Sequence, residues 1–281
     1  MKLAERMKLF YEYVARTKLM RRCPVAIRID GKAFHTFTRK FDKPFDNILM
    51  ESMQETMLYL CKNIQGCVLG YTQSDEITLI LIDYQKLTSC AWFDYNLQKM
   101  CSISASMATL AFNRIFERKV REYVYNNGEN FEKGSKEYKL CEAYKKAVKM
   151  GAMFDSRCFS IPKDEVTNLI YWRQIDASRN SIQMVGRAYF SHKELENKSS
   201  SEIQDMLMLK HGVNWNNFSI PQKRGSCAIK KEYLMDKDGK EVIHVTDENI
   251  SDLRIKNKWI IDKNIPIFKG ENRTYIDSLV K

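Results

Sequence analysis

The stretch Arg28-Ile29-Asp30-Gly31-Lys32-Ala33-Phe34-His35 carries an apolar strand into a turn, and the rest of the chain is organised around it. After a proline at position 24, apolar side chains alternate at positions 25, 27 and 29, which predicts a short strand that ends at Asp30. Gly31 then permits a tight turn and a close approach of the backbone to a ligand. The stretch therefore predicts a carboxylate presented at the end of a strand.

A second carboxylate pair lies in Gln73-Ser74-Asp75-Glu76, which connects the apolar runs 67–72 and 77–82. Two such runs joined by a short polar connection predict a β-hairpin with Asp75 at or beside its tip. Two close carboxylates repel one another unless a cation is bound, and oxygen-only ligands favour Mg²⁺ or Mn²⁺ over zinc. If the hairpin lies beside the first strand, Asp30 and Asp75 suit a divalent metal site for phosphoryl or nucleotidyl transfer.

The predicted order of elements places this hairpin beside the first strand. Apolar residues at helical spacing predict an amphipathic opening helix over 3–19 and further helices over 45–64 and 97–115. The lysine- and tyrosine-rich stretch 117–150 is predicted to be helical and exposed, and 154–161 is predicted to be a closing strand. The order β-α-β-β-α-β is that of a ferredoxin-like α+β fold, in which the first strand and the central hairpin are neighbours.

The second half of the chain, after Pro162, is predicted to hold helices followed by a β-hairpin. The predicted elements are one or two helices over 164–190, a helix opened by the capping-box pair Ser199 and Glu202 and ended by Gly212, a strand over 223–229, a turn at Asp238-Gly239 and a strand over 242–245.

Composition indicates a folded protein with an excess of positive charge. Hydrophobic residues make up 44% of the 281-residue chain, enough for a packed core. The 46 lysines and arginines exceed the 35 acidic residues by 11, which suits a polyanionic partner, although many basic proteins bind none. The eight cysteines lack C-x-x-C spacing, so we expect reduced, mostly buried thiols and no structural zinc. The charged N-terminus and the absence of a long apolar run predict a cytoplasmic protein without a signal peptide or a membrane span.

Each candidate residue also has an ordinary structural interpretation. An aspartate at a strand end is usually a cap or a turn residue, and His35 on its own fits a turn histidine. Lys43 with Asp46 fits a surface pair, and Lys99 fits a solvated lysine. Arg157 differs, because a charge in an otherwise apolar strand is usually paired or functional. What favours a site is the combination of Gly31, the second carboxylate pair, and the basic residues after the first strand: Lys32, His35, Arg39, Lys40 and Lys43.

Taken together, these motifs resemble the tRNA(His) guanylyltransferase family, including its template-dependent 3′-to-5′ polymerase members. The resemblance extends over most of the chain in the same order. The matching residues are Arg28, Asp30, Gly31, Phe34 and His35, then Lys43, Pro44 and Asp46, then Gln73, Ser74, Asp75 and Glu76, then Lys99, Phe154 to Arg157, Trp172, Arg173, Gln174 and Asp176, and finally Lys223, Arg224 and Gly225.

The resemblance implies a polymerase-type palm domain over 1–162 that adds nucleotides to the 5′ end of tRNA. It implies that 163–281 is a helical and β-hairpin extension, packed on the palm and in contact with RNA. ATP, GTP or other nucleoside triphosphates would be the substrates, with ATP or GTP activating the 5′ end, and the protein would be a homotetramer. Two Mg²⁺ ions, for which Mn²⁺ can substitute, would be held by Asp30, Asp75 and the Gly31 carbonyl.

The same resemblance implies roles for individual side chains. The implied catalytic residues are Asp30, Asp75, Glu76, Ser74, Lys43 and Asp46. The implied nucleotide-binding residues are Arg28, Gly31, Lys32, Ala33, Phe34, His35, Ser74, Lys99 and Arg157.

One segment departs from the family pattern. Members dedicated to tRNA(His) carry a His-Ile-Asn-Asn-Leu-Tyr-Asn motif after Trp-Arg-Gln-x-Asp, whereas this chain has Asp-Ala-Ser-Arg-Asn-Ser-Ile over 176–182, with only Asn180 retained. The segment is more similar to members that repair 5′-truncated tRNA by copying the opposite strand. Addition of G at position −1 of tRNA(His) is the alternative. Candidates for RNA contacts are Arg173, Arg179, Asn180, Arg187, Lys223 and Arg224, and a solvated basic face is the other interpretation of their arginines and lysines.

Two alternatives of other classes use the same fold. A palm-type nucleotidyl cyclase or a 5′-to-3′ polymerase would need the same two carboxylates, but it would not explain the Lys-Pro-x-Asp element or the likeness beyond residue 162. A non-catalytic RNA-binding module would place stacking aromatics on the central strands. The central strands here carry mainly aliphatic residues with acids at their junction.

Overall fold

The computed structural model describes residues 1–127, 131–235, 241–242 and 254–281. The strands are β1 Val25–Gly31, β2 Cys67–Gln73, β3 Glu76–Leu81, β4 Phe154–Ser160, β5 Ser226–Met235, β6 Glu241–Val242 and β7 Arg254–Asp262. The helices are α1 Leu3–Met7, α2 Phe34–Phe37, α3 Asn47–Asn63, α4 Leu97–Asn127, α5 Lys136–Met150, α6 Val166–Tyr189, α7 His192–Leu195, α8 Ser200–His211, α9 Ile220–Arg224 and α10 Thr274–Asp277.

An antiparallel sheet of strand order β4-β1-β3-β2-β5-β6 forms the centre of the protein, and β7 pairs with β5. Its first four strands, with α3 and α4 as the connecting helices, have the ferredoxin-like β-α-β-β-α-β arrangement, which confirms the predicted fold class. In this register Asp30 lies opposite Glu76 on β3 and opposite Asp155 on β4. The sheet therefore places acidic residues of three adjacent strands side by side at the same end of those strands, and this end is called the carboxylate edge below.

Alternation along the strands gives the sheet two buried faces. Ile27 and Ile29 of β1 belong to the same buried cluster as Phe112 of α4, on the face covered by α3 and α4. Ala26 belongs to the cluster that contains Ile170 of α6, on the opposite face. Strand β3 is buried on both faces, and from position 77 onward all its residues except Thr78 are apolar.

The central hairpin has the predicted geometry. Gln73 and Glu76 are the last paired residues of β2 and β3, so Ser74 and Asp75 form a two-residue turn. Ser74 adopts a left-handed conformation, with a φ of 48°. Asp75 is thus at the tip of the hairpin, as the sequence predicts.

Two predictions about helices are wrong: the opening helix is shorter than predicted, and the stretch 117–150 is partly buried. The opening helix, predicted over 3–19, is α-helical only over Leu3–Met7 and continues as a π-helical turn over Lys8–Glu12. Its apolar side chains are exposed, because no part of the described structure packs against them.

The stretch 117–150, predicted to be exposed, forms the end of α4 and all of α5. Most of its lysines are exposed, while four of its residues at helical spacing are buried: Val120, Cys141, Tyr144 and Ala147.

The second half contributes both a helix and strands to this sheet. Helix α6 is a single helix under the sheet, and α8 begins at the predicted capping box of Ser199 and Glu202 and ends at Gly212 in a left-handed conformation. Strand β5 pairs with β2, so the sheet runs through both halves of the chain. The predicted Asp238-Gly239 turn and residues 243–245 lie outside the described residues.

Among the described helices, none combines the length and the apolarity that crossing a membrane would require. All eight cysteines are free, and five of them are buried.

Replacing Gly225 by alanine is expected to lower the free energy of unfolding by about 3 kcal/mol, because the site combines a left-handed backbone with a steric clash. The φ of Gly225 is 82°, and a Cβ atom would lie 2.4 Å from the Thr72 carbonyl oxygen. Gly212 is the matched control: its φ is 64°, but a Cβ atom added there would meet nothing within 4 Å, so alanine should cost only about 1 kcal/mol. Equal losses in urea denaturation would contradict this account.

Candidate active site

The end of β1 and the tip of the hairpin are joined by main-chain hydrogen bonding. The Gly31 amide donates to the Asp75 carbonyl oxygen at 3.1 Å, which places the two predicted carboxylate-bearing turns side by side. A Cβ atom on Gly31 would lie 2.3 Å from the Phe34 ring, so only glycine fits between this turn and the aromatic core below it. The next turn is fixed by the Lys32 amide, which donates to the Met153 carbonyl at 2.8 Å.

Burial and mutual repulsion raise the pKa of both aspartates. For Asp30, desolvation is the largest cause, and the charges of Glu76 and Asp155 raise its pKa further. The nearby guanidinium groups of Arg28 and Arg157 only partly offset this. For Asp75, desolvation again dominates, the hydroxyl of Ser74 lowers the pKa by donating at 2.9 Å, and the charge of Asp30 raises it. The edge is therefore an electronegative, half-buried site that a cation would stabilise.

The donors at this edge fit a hard divalent cation. Within the part of the chain that the structure describes, no group of three or more His, Cys, Asp or Glu side chains is placed to hold a metal. Two carboxylates supplemented by a main-chain carbonyl are sufficient for Mg²⁺, which keeps several of its waters and is usually held by one or two carboxylates and substrate phosphates. Asp30, Asp75 and Gly31 provide such a set of oxygen donors.

Glu76 lies behind the site rather than in it. This residue is 4% exposed, and its carboxylate accepts hydrogen bonds from Arg173 Nε at 2.6 Å and Arg173 Nη2 at 2.8 Å. Arg28 Nη2 donates to the same carboxylate at 2.8 Å, and Arg173 Nη2 also donates to Asp176 at 2.8 Å. Trp172 covers both guanidinium groups. Two arginines that the sequence assigned to nucleotide and RNA binding are thus held in a largely buried ion-pair network.

A cleft of about 760 Å³ lies beside the carboxylates: Asp75 and Gly31 line it, whereas Asp30, which precedes Gly31 on β1, does not line it itself. Its walls are the turn after β1, the segment that leads into α3, the hairpin tip and one face of α6. It brings together eleven residues that the sequence singled out: Gly31, Ala33, Phe34, His35, Lys43, Asp46, Ser74, Asp75, Arg179, Asn180 and Arg187. Lys43, Arg179 and Arg187 are exposed, so the cleft is bordered by positive charge, and His35 is exposed as well.

Asp46 is a buried structural cap at the edge of this cleft. One carboxylate oxygen accepts from the Leu49 amide at 2.9 Å and caps α3. The other accepts from the Asp42 amide at 3.1 Å and from the Tyr144 hydroxyl at 2.6 Å. Burial raises the pKa of Asp46, and these hydrogen bonds oppose the shift. Asp46 therefore fixes the segment that carries Lys43.

The remaining predicted residues lie outside the cleft. Lys32 is exposed on the turn after β1, and Lys99 is exposed on α4, with its Nζ 5.9 Å from the centre of the Phe93 ring. Arg157 lies opposite Arg28 across β4 and β1, exposed and 3.8 Å from Asp155. Lys223 is buried and donates to the Asn216 carbonyl at 2.5 Å, while the Arg224 carbonyl accepts from the Tyr71 hydroxyl.

Sequence reasoning gave no role to three residues that the structure places at the site. Asp155 lies directly opposite Asp30, and Gln183 and Met184 line the cleft from α6. The position of Asp155 could have been predicted from the sequence, because a ferredoxin-like order places the start of the fourth strand beside the end of the first. The positions of Gln183 and Met184 could not have been predicted, since they depend on how α6 packs under the sheet.

Comparison with known proteins gives a consistent result. A family model described as tRNAHis guanylyltransferase matches residues 4–162. A probable tRNA(His) guanylyltransferase from Dictyostelium discoideum is 29% identical over 238 residues, which are 79% of this chain and 82% of that protein.

Solved structures extend the similarity over the whole chain. A bacterial tRNA(His) guanylyltransferase-like protein in complex with ATP is 38% identical, with a TM-score of 0.76 and 99% of each chain covered. The corresponding complex with GTP has 36% identity and a TM-score of 0.73, covering 99% of this chain and 98% of the other. The tRNA(His) guanylyltransferase of Saccharomyces cerevisiae shares the fold, with 22% identity, a TM-score of 0.57, and coverage of 84% of this chain and 96% of that one.

Proposed function

The chain belongs to the tRNAHis guanylyltransferase family, a family of nucleotidyltransferases, and we propose that it repairs 5′-truncated tRNA by templated addition of nucleotides in the 3′-to-5′ direction. The observation that carries this proposal is the junction of the β1 turn with the hairpin tip, where Asp30 and Asp75 meet beside a cleft bordered by positive charge. Carboxylates that can hold a metal ion, next to cationic side chains that can bind phosphate, suit transfer of a nucleotidyl group.

Nucleoside triphosphates are the proposed small-molecule substrates. The relatives of known structure were solved with ATP and with GTP, and they align with this chain over nearly its whole length. We propose that ATP or GTP activates the 5′-monophosphate of the tRNA, after which the 3′-hydroxyl of the incoming nucleotide attacks the activated end. Lys99 and Arg157, both exposed, are the proposed partners of triphosphate oxygens, together with Lys32 and the main chain of the β1 turn.

Asp30, Asp75 and the Gly31 carbonyl are the proposed ligands of two Mg²⁺ ions. When bound, such ions lower the pKa of an attacking hydroxyl and stabilise charge on the transferring phosphate. The protein itself holds the ligands in place. The Ser74 hydroxyl donates to Asp75, and the network of Glu76, Arg173 and Arg28 fixes the base of the hairpin on which Asp75 lies.

The wall formed by α6 is the proposed RNA-binding surface. Arg179, Asn180 and Arg187 line the cleft and are exposed, so they can reach phosphates and bases of an acceptor stem. Lys223 is buried and Arg173 is held by Glu76, so direct RNA contacts are proposed for Arg179, Asn180 and Arg187 instead. The lack of a His-Ile-Asn-Asn motif over 176–182 favours templated repair over recognition of tRNA(His).

Incubation of a 5′-monophosphorylated tRNA that lacks its first nucleotide with Mg²⁺ and nucleoside triphosphates tests the function. The expected product is longer at its 5′ end, and the added base is complementary to the opposite strand of the acceptor stem. A full-length tRNA(His) lacking G at position −1 is the comparison substrate. Extension of tRNA(His) alone, without regard to the opposing base, would replace repair with guanylyltransfer at position −1. Growth only at the 3′ end, or a cyclic nucleotide product, would refute both.

The proposed assembly is a homotetramer. Light scattering should then give a mass of about four times the 33.1 kDa of the chain. A mass of one chain or two would contradict it.

A further inference from the structure

A second cavity lies behind the active cleft, between α3, β2, α6 and α9. Its volume is about 80 Å³, several times the roughly 10–15 Å³ that one water requires by the same measure. It adjoins the cleft, because both spaces share part of their lining: Asp46, Leu49, Ser74, Asn180 and Met184. The inner walls are mainly apolar, with Met50 and Met53 on α3. A flat, partly polar group that enters from the cleft could therefore be enclosed there.

One polar side chain in this cavity lacks a hydrogen-bond partner. Gln54, on α3, is 2% exposed, and its Nε2 forms no hydrogen bond with any described residue. Two other buried polar side chains of the lining are paired. Thr72 Oγ1 donates to the Glu76 carbonyl at 2.8 Å, and Ser181 Oγ accepts from Trp215 Nε1 at 2.9 Å. An unpaired buried amide is destabilising, which indicates a group that Gln54 binds when the site is in use.

We propose that Gln54 recognises the base of the activating nucleoside triphosphate and selects adenine over guanine. This inference rests on the proposed function, in which the main chain of the β1 turn contributes to binding the triphosphate, and that turn lines the adjoining cleft. A carboxamide can accept from the adenine N6 amino group through its oxygen and donate to N7 through its nitrogen. Guanine offers two acceptors, O6 and N7, along the same edge, so one of the two bonds is lost. The methionine side chains around Gln54 suit the faces of a purine, because a thioether packs well against an aromatic ring.

Binding of ATP, GTP and 7-deaza-ATP to the wild-type protein and to Gln54→Met provides the test. 7-Deaza-ATP lacks the N7 acceptor, and methionine keeps the length of glutamine but has no amide. In titration calorimetry we expect Gln54→Met to weaken ATP binding about tenfold and GTP binding by a clearly smaller factor, because guanine forms only one of the two bonds. For the wild type, 7-deaza-ATP should bind several-fold more weakly than ATP, whereas the variant should not distinguish the two.

Gln65→Met is the matched control. Gln65 follows the far end of α3, is exposed, and donates through Nε2 to the Cys90 carbonyl at 3.0 Å. This variant should bind all three nucleotides like the wild type. Gln54→Met removes an unpaired buried amide, so its thermal midpoint should be no lower than that of the wild type.

The outcomes separate this inference from the proposed function. If the wild type binds ATP and 7-deaza-ATP equally, Gln54 does not bind N7 and the cavity holds water only. If Gln54→Met weakens ATP and GTP alike, its role is structural and base selection is refuted. If ATP binds with the expected pattern but tRNA is not extended, base recognition holds and the function on tRNA fails. If no triphosphate binds, both fail.

Discussion

Replacing Asp30 by asparagine is expected to reduce 5′-end nucleotide addition by about a thousandfold or more, because the site loses several kcal/mol of charge stabilisation in the transition state. Asparagine has nearly the same shape as aspartate, so the Gly31 amide should keep its hydrogen bond to the Asp75 carbonyl oxygen. Single-turnover rates on 5′-truncated tRNA, with saturating nucleotide and Mg²⁺, measure the loss.

The same variant is expected to be at least as stable as the wild type when no divalent metal is present. Burial, with the charges of Glu76 and Asp155, raises the pKa of Asp30 above its ordinary value. The folded protein then binds a proton at this carboxyl more tightly than the unfolded chain does, so the charged carboxylate opposes folding at neutral pH. This destabilisation is absent below the unfolded pKa and develops as the pH rises through the folded pKa. Asparagine removes it at every pH.

Thermal melts with EDTA and with Mg²⁺ distinguish a metal site from a structural carboxylate. Mg²⁺ should raise the melting temperature of the wild type by mass action and should have a much smaller effect on Asp30→Asn. Asp205→Asn, an exposed residue on α8, is the control and should respond to Mg²⁺ like the wild type. A variant that loses activity but retains the full response to Mg²⁺ would contradict metal binding by Asp30.

The carboxylate edge was predictable because it depends on local patterns. Alternation predicts β1, the apolar runs 67–72 and 77–82 with a short polar connection predict the hairpin, and the ferredoxin-like order then brings Asp30 to the tip at Asp75. None of these steps requires knowledge of how a particular side chain packs. The same reasoning could have located Asp155, which is the register partner of Asp30 on the fourth strand.

Features that depend on contacts distant in sequence were not predictable. Glu76 and Arg173 are 97 positions apart, and only the packing of α6 under the sheet makes them a buried pair. The amphipathic pattern of 3–19 also led to a wrong prediction, that of a helix longer than the one observed. Periodicity shows that a helix has an apolar face, but a surface must be present to bury that face, and the described structure offers none. The unpaired amide of Gln54 is likewise visible only once α3, β2 and α6 enclose it.

Replacing Arg173 by methionine is expected to lower the free energy of unfolding by about 3–5 kcal/mol, which is the cost of removing one partner from a buried ion pair. The side chains of Arg173 and Glu76 are each 5% exposed, and they are joined by two hydrogen bonds, at 2.6 Å and 2.8 Å. Without Arg173, the buried carboxylate of Glu76 keeps Arg28 as its only charged partner at hydrogen-bonding distance among the residues that the structure describes. Chemical denaturation at neutral pH measures the loss.

A second substitution shows whether the unpaired charge causes the loss. Adding Glu76→Met to Arg173→Met removes the carboxylate, so the double variant should recover part of the stability, although Arg28 then loses its partner. Arg121→Met is the control, because Arg121 pairs with Glu117 on the surface and is 78% exposed; its loss should be below about 1 kcal/mol. If Arg173→Met were as mild as this control, Glu76 would have to be neutral or hydrated in the folded protein. The hairpin that carries Asp75 would then need another anchor than this ion pair.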